Sequence, residues 1–282
     1  MKILVTGGSG YIGSNLNLLS FEKGFFKSFI DVDICDYYND NMKNLYHRNL
    51  PLAQDLSYND VNEYDGVVHL AALSGLAACE EDSVDAVEKN IITAMNVFKQ
   101  ATYVGIPVVF TSSQAAKDPL SSKYAFIKWT CEQMAEVYNK SGGMNYVLRL
   151  SNVYGGHHYL EKKQTCVKQF ITRYKENKPL IVHGDGTQKR DFIHVWDVCS
   201  AIVKILEKKP SMKGPIDIGT GIGTSIMELR EMFSSLLGPI DYEFKKIRNV
   251  GTDSSIANVS QAKKLIGFKA KRRLKDYIKE MK

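Results

Sequence analysis

No uninterrupted apolar run in the 282 residues approaches the roughly 18 that a membrane-spanning helix needs. The five cysteines, Cys35, Cys79, Cys131, Cys166 and Cys199, form no CxxC pair and are odd in number. Neither structural zinc nor a disulfide framework is therefore expected, and a reduced, cytoplasmic chain is. Met1-Lys2-Ile3-Leu4-Val5 runs into Thr6-Gly7-Gly8 too soon for the apolar core of a signal peptide. There is no internal repeat, low-complexity tract or flexible linker. His157 and His158 have no third partner at a recognisable ligand spacing, so they read as loop residues and no metal is expected.

Charge of one sign is scarce outside one end. The net charge is +6. Residues 262–282 hold nine lysines and arginines against only Asp276 and Glu280, which leaves the first 261 residues close to neutral. A basic stripe interleaved with base-stacking aromatics is missing, so nucleic-acid binding is not expected. The tail reads as a closing helical segment with a solvated basic face over Leu265, Ile266, Phe268, Leu274, Tyr277 and Ile278.

What is present is ordinary globular material, 44% apolar and 24% charged, enough for one large or two joined domains. Ile3-Leu4-Val5, Phe29-Ile30, Val67-Val68-His69-Leu70, Val108-Val109-Phe110 and Tyr146-Val147-Leu148 read as strands with few polar interruptions. Strands covered on both faces of a parallel sheet have that composition. Val84, Val87, Ile91, Ala94, Phe98 and Ala101 recur at helical spacing, which predicts one amphipathic helix with these residues inward. The alternation predicts an α/β, Rossmann-like doubly wound sheet over 1–153, with a return segment near 191–218. A smaller lobe over 154–282 completes the chain, with helices near 163–176, 195–208 and 225–237.

Gly7, Gly10 and Gly13, with Tyr11 and Ile12, follow the first strand and open a helix. Glycine there allows a tight turn and close approach of backbone to a pyrophosphate, whose charge meets free helix N–H groups. Asp31 and Asp33 follow Gly13 at the distance where a carboxylate accepts the adenosine ribose hydroxyls. A carboxylate in that place repels a 2′-phosphate, so NAD is favoured over NADP. Either aspartate could serve. Asp55-Leu56 is a further candidate for the adenine edge, and a surface loop is the plain alternative.

Tyr124 and Lys128 stand at i and i+4 of a predicted helix, on one face. Thr111-Ser112-Ser113 ends a strand on the edge where such sheets bind ligands. A tyrosine whose ordinary pKa is near 10 serves as a base near neutrality only after about 4 kcal/mol of differential stabilisation. A lysine ammonium and a positively charged nicotinamide could provide it.

These segments, with His69-Leu70-Ala71-Ala72, Arg149-Leu150-Ser151-Asn152-Val153-Tyr154-Gly155 and Gly184-Asp185-Gly186-Thr187-Gln188-Lys189-Arg190-Asp191-Phe192-Ile193-His194-Val195, stand in the order of a known family. The chain resembles the extended short-chain dehydrogenase/reductase family, in its nucleotide-sugar epimerase/dehydratase branch. The resemblance implies that Ser113, with Ser112 as near alternative, holds the substrate oxygen and that Tyr124 is the acid/base. It implies that Lys128 binds the nicotinamide ribose and lowers the tyrosine pKa. Leu70, Ala71, Ala72, Asn90 and Ser112 would lie along the cofactor, and Ser74, Asn152, Arg190 and Arg248 along a nucleotide-diphosphate sugar. Guanidinium forks suit a diphosphate.

Within that family, dehydratases carry an Asp-Glu pair after the catalytic hydroxyl, where this chain has Gln114-Ala115. Decarboxylating members carry a glutamate there, and 3,5-epimerising members a cysteine. A 4-epimerase is therefore expected. A 4-keto-sugar reductase is the alternative, and a non-catalytic dinucleotide sensor is an alternative of another class. Only ten residues separate Ser113 from Tyr124, fewer than is usual, so the sugar pocket is expected to be more open or closed by another segment. The resemblance also implies a homodimer through the helices near 83–104 and 122–141.

Overall fold

The computed structural model describes residues 1–23, 28–32, 46–47, 56–156, 165–246 and 254–282. Its strands are β1 (Lys2–Thr6), β2 (Ser28–Val32), β3 (Tyr46–His47), β4 (Gly66–His69), β5 (Pro107–Ser113), β6 (Met144–Leu150), β7 (Asn152–Tyr154), β8 (Leu180–His183), β9 (Lys189–His194), β10 (Ile216–Ile218), β11 (Gly223–Ser225), β12 (Tyr242–Lys245) and β13 (Ser254–Ser255). The first helices are α1 (Tyr11–Lys23), α2 (Tyr58–Val61), α3 (Leu76–Glu81), α4 (Ser83–Val87), α5 (Thr93–Val104) and α6 (Lys123–Lys140). They are followed by α7 (Cys166–Lys175), α8 (Val195–Lys208), α9 (Ile226–Leu237), α10 (Ser260–Ile266) and α11 (Leu274–Lys279).

Seven strands form one parallel sheet in the order β10-β6-β5-β4-β1-β2-β3. This is the doubly wound α/β arrangement expected from the sequence. Consecutive residues of β1 supply both faces: Ile3 and Val5 join a core with α1 and α8, while Leu4 joins one with α5 and α6. That division explains why the strands read as unbroken apolar runs. The chain winds outward from β1 to β3 and then crosses to β4, so β1 and β4 flank the reversal point where such sheets bind ligands.

Smaller sheets follow. β9 lies between β11 and β13 and also pairs with β7, and β8 pairs with β12. Tyr154, Phe170, Leu180, Val182, Phe192, Leu229 and Phe233 form a separate core there, closed by Tyr277 and Ile278 of α11. Ser225 and Glu228 form a reciprocal capping box at the start of α9.

One helical expectation needs correction. Val84 and Val87 do not share the buried face of Ala94, Phe98 and Ala101; they are 73% and 40% exposed. A π-helical turn over Glu88–Ile92 separates α4 from α5. Its wider winding breaks the 3.6-residue phase between the two helices. In the basic tail, Ile266, Phe268, Tyr277 and Ile278 are buried and most lysines are exposed. Arg272 differs: it pairs with Asp197 at 3.1 Å and stacks on Trp196.

Among the described residues no helix is long and apolar enough to cross a membrane. Cys79, Cys131, Cys166 and Cys199 form no disulfide among the described residues. Cys35, His157 and His158 lie outside the described residues.

Candidate active site

The turn from β1 into α1 is compressed against the chain leaving β4. Gly7 adopts φ +76°, and a Cβ on it would stand 2.5 Å from the Ala71 amide nitrogen. A Cβ on Gly13 would meet the Gly7 carbonyl at 2.5 Å. These two positions require glycine, and they bring the glycine turn onto Leu70-Ala71-Ala72. Beneath the turn the Thr6 hydroxyl and His69 Nδ1 share a 2.6 Å hydrogen bond. His69 stacks on Phe110, and burial, helped by the Lys128 charge, holds its pKa down at about 3. It is therefore neutral. A tight glycine turn and the open N-terminus of a 13-residue helix fit a dinucleotide pyrophosphate.

Asp31 stands on β2 in register with Val5. Asp33, Asp55 and Arg248 lie outside the described residues. Leu56 is buried, and its carbonyl accepts a hydrogen bond from Asn96. Asn90 sits within the π turn and donates to the carbonyls of Leu73 at 3.1 Å and Ala86 at 2.8 Å. It thereby ties that helix to the segment carrying Ala71, Ala72 and Ser74.

β5 delivers its two serines to opposite sides, as strand alternation requires. Ser112 is buried and donates to Glu132 Oε1 at 2.6 Å. The Ser113 hydroxyl is close enough to Tyr124 to oppose the rise in the phenol's pKa, and its Oγ accepts from the Ala115 amide at 3.2 Å. The geometry sets Ser113, rather than Ser112, beside the phenol. Ser122 caps α6 by accepting from the Ala125 amide, which fixes the start of the helix that carries Tyr124.

Lys128, one turn further along α6, is buried. Its ammonium donates to the Thr111 carbonyl at 2.9 Å and lies 4.9 Å from the centre of the Phe110 ring. Burial lowers its pKa. Burial raises that of Tyr124 to about 12, against the opposing effect of the Ser113 hydroxyl. Bringing that phenol to neutrality takes roughly 7 kcal/mol of differential stabilisation, more than the sequence alone suggests.

Asn152 and Arg190 stand on neighbouring strands of the small sheet, with Asn152 opposite Phe192, two residues beyond Arg190. Asn152 is exposed and donates to the Asp191 carbonyl. Arg190 is half-buried, and its charge reaches the thiol of Cys166 at the start of α7. Asp191 accepts from the amides of Thr220, Gly221 and Ala257, which ties β9 to the turn after β10 and to the segment after β13.

Residues 3–219 match the family described as NAD dependent epimerase/dehydratase. The chain belongs to this family. A Methanocaldococcus jannaschii protein provisionally named a UDP-glucose 4-epimerase is 29% identical over 84% of the chain and 82% of its own length. UDP-glucuronic acid decarboxylase 6 of Arabidopsis thaliana is 28% identical over 98% of the chain and 86% of its own. The crystal structure of UDP-glucose 4-epimerase with UDP-glucose from Thermotoga maritima has a TM-score of 0.86 at 25% identity, covering 99% of this chain and 96% of that one. NAD, the cofactor in the family's description, agrees with the glycine turn. Epimerases and a decarboxylase both stand among these relatives, so membership in the epimerase/dehydratase family leaves the reaction to be argued from the site.

Several residues around the epimerase/dehydratase site have no local motif. Glu132 is buried and grips Arg149 in a two-pronged pair, Nε to Oε1 at 2.9 Å and Nη2 to Oε2 at 2.5 Å. Lys117 meets Asp217 across a hundred residues. A Glu one turn after Lys128 on α6 was a signal for the first. Nothing local signals the second.

Proposed function

We propose that the chain is an NAD-dependent nucleotide-sugar 4-epimerase acting through a transient 4-keto sugar. The observation that carries this reading is the environment of the residue after Ser113. Gln114 is buried and its amide donates to the Arg149 carbonyl at 3.0 Å. It offers no proton, and no carboxylate stands in its place to expel a hydroxyl or steer decarboxylation. What remains is one hydroxyl, one phenol and one ammonium, which together suit oxidation and re-reduction of a single carbon.

In this reading Ser113 holds the sugar hydroxyl and Tyr124 accepts its proton, then returns it. Lys128, in its charged form, favours the phenolate. Bound NAD supplies the hydride acceptor and the hydride that comes back. Arg190 and Asn152, with Arg248 as a further candidate, hold the diphosphate. The N-terminus of α7, close to Arg190, adds favourable dipole for an anion. The names of the relatives make uridine diphosphate sugars the first to test.

The test is incubation of the purified chain, without added cofactor, with uridine-, guanosine- and thymidine-diphosphate sugars, followed by NMR of the products. A C4 epimer is expected. Product only with added reduced nicotinamide would mean a reductase. A bound dinucleotide with no turnover on any sugar would mean a sensor.

We also propose a homodimer. Val84, Val87, Ile92, Met95 and Tyr103 on α4 to α5, with Phe126 and Val137 on α6, are large apolar side chains left exposed. Together they suit a self-complementary helical interface. Sedimentation at micromolar concentration should give twice the chain mass, and a monomer there removes the idea.

A further inference from the structure

The turn after Ser113 is short, and what fixes it is not local. Gln114–Lys117 form a single 3-10 turn, and Ser113 is its N-cap. One end is tied by the Gln114 amide to β6. At the other end Lys117 Nζ pairs with Asp217 Oδ2 at 2.5 Å. The same oxygen accepts the Asn258 backbone N–H at 2.7 Å.

Asp217 lies on β10, in register with Arg149 on β6, which is in register with Ser112 on β5. Side chains in register across a sheet share a face. Ser112, Glu132, Arg149, Asp217 and Lys117 thus form one layer of two cations and two carboxylates directly behind Ser113. The Asp217 side chain is only 8% exposed, while Lys117 is 40% exposed. The pair is therefore not an ordinary surface pair of little worth, because the carboxylate is largely desolvated.

Asn258 carries the connection onward. It follows β13, whose Ser255 pairs with Arg190 on β9. One carboxylate oxygen consequently joins the turn bearing the catalytic hydroxyl to the segment beside the diphosphate-binding arginine.

We propose that Lys117, acting through Asp217, is a positioning residue that sets the Ser113 hydroxyl against Tyr124 and couples it to the substrate lobe. The proposal rests on the epimerase reading for the role of Ser113. Its geometry can be tested without any substrate.

In the NAD-loaded protein carrying tyrosine labelled with 13C at Cζ, the Tyr124 resonance is found by its loss in Tyr124→Phe. The Ser113 hydroxyl lowers the Tyr124 pKa. Lys117→Met should therefore raise its titration midpoint by about half a pH unit or more, and Lys117→Arg should restore it. Asp217→Asn keeps an acceptor for Asn258 but loses the cation, and should shift the midpoint in the same direction. With a turned-over substrate, Lys117→Met should lower kcat about tenfold while KM stays within about threefold. An unmoved Tyr124 midpoint in both Lys117→Met and Asp217→Asn overturns the proposal. So does a kcat loss that follows melting temperature alone. If the wild-type chain turns over no nucleotide sugar, the epimerase reading fails, and the titration still decides the clamp.

Discussion

The two halves of the site are built from different kinds of structure. Ser113, Tyr124 and Lys128 project from a seven-residue central strand and an 18-residue helix, with both sheet faces covered. Asn152 and Arg190 project from strands of three and six residues in a small sheet. In the first half Lys128 is buried and Ser113 and Tyr124 are partly covered, on elements packed into the two main cores. The second is held by backbone hydrogen bonds to Asp191 and leaves its polar side chains nearer solvent. On the proposed reading, chemistry that needs a perturbed phenol belongs in the first, and recognition of a hydrated diphosphate belongs in the second.

The largest effect that would test this division is at Tyr124. Tyr124→Phe removes the proposed proton acceptor while keeping the ring, so turnover should fall by about a thousandfold. Binding of a nucleotide diphosphate, measured by calorimetry, should hardly change. If affinity and turnover fall together, the phenol is also part of the binding surface and the two halves are not separate.

Next in size is Glu132. Its carboxylate is enclosed, pairs with Arg149 and receives the Ser112 hydroxyl. Glu132→Gln leaves Arg149 without its ionic partner under the central strand. A cost near the low end for a broken buried pair, about 3 kcal/mol in denaturant unfolding, is expected. A loss below about 1 kcal/mol would mean that this half does not depend on its buried charges for stability.

Much of the first half was legible in the sequence because it lies on covered elements. Covered strands must be continuous and apolar, a pyrophosphate turn must contain glycine, and side chains at i and i+4 must share a helix face. Tyr124, Lys128 and Gly7 each follow from one such local rule. The phase slip between Val87 and Ala94 does not, because a π turn leaves no compositional mark. Lys117 with Asp217 was hidden because it depends on which strands become neighbours, whereas Glu132, on the helix of Tyr124 and Lys128, left a local signal but not its partner Arg149. Even the phenol's environment was only half visible: the need for a shift was clear, but burial has first moved Tyr124 the other way, up to about 12.

The smallest of these effects sharpens the comparison most. Arg190 is half-buried on β9 and donates to the Lys189 carbonyl. If it holds a diphosphate equally well before and during reaction, its removal weakens binding uniformly. A charge-assisted contact of this kind is worth about 1.5–3 kcal/mol. Arg190→Gln should therefore raise KM by roughly 10- to 100-fold with kcat within about threefold, the mirror image of Tyr124→Phe. Its melting temperature should hardly move, since β9 is fixed through Asp191 rather than through this side chain. A large fall in kcat would carry a different message. It would mean that diphosphate binding is used to align the sugar at Tyr124, so that the outer half of the site acts on the chemistry as well as on affinity.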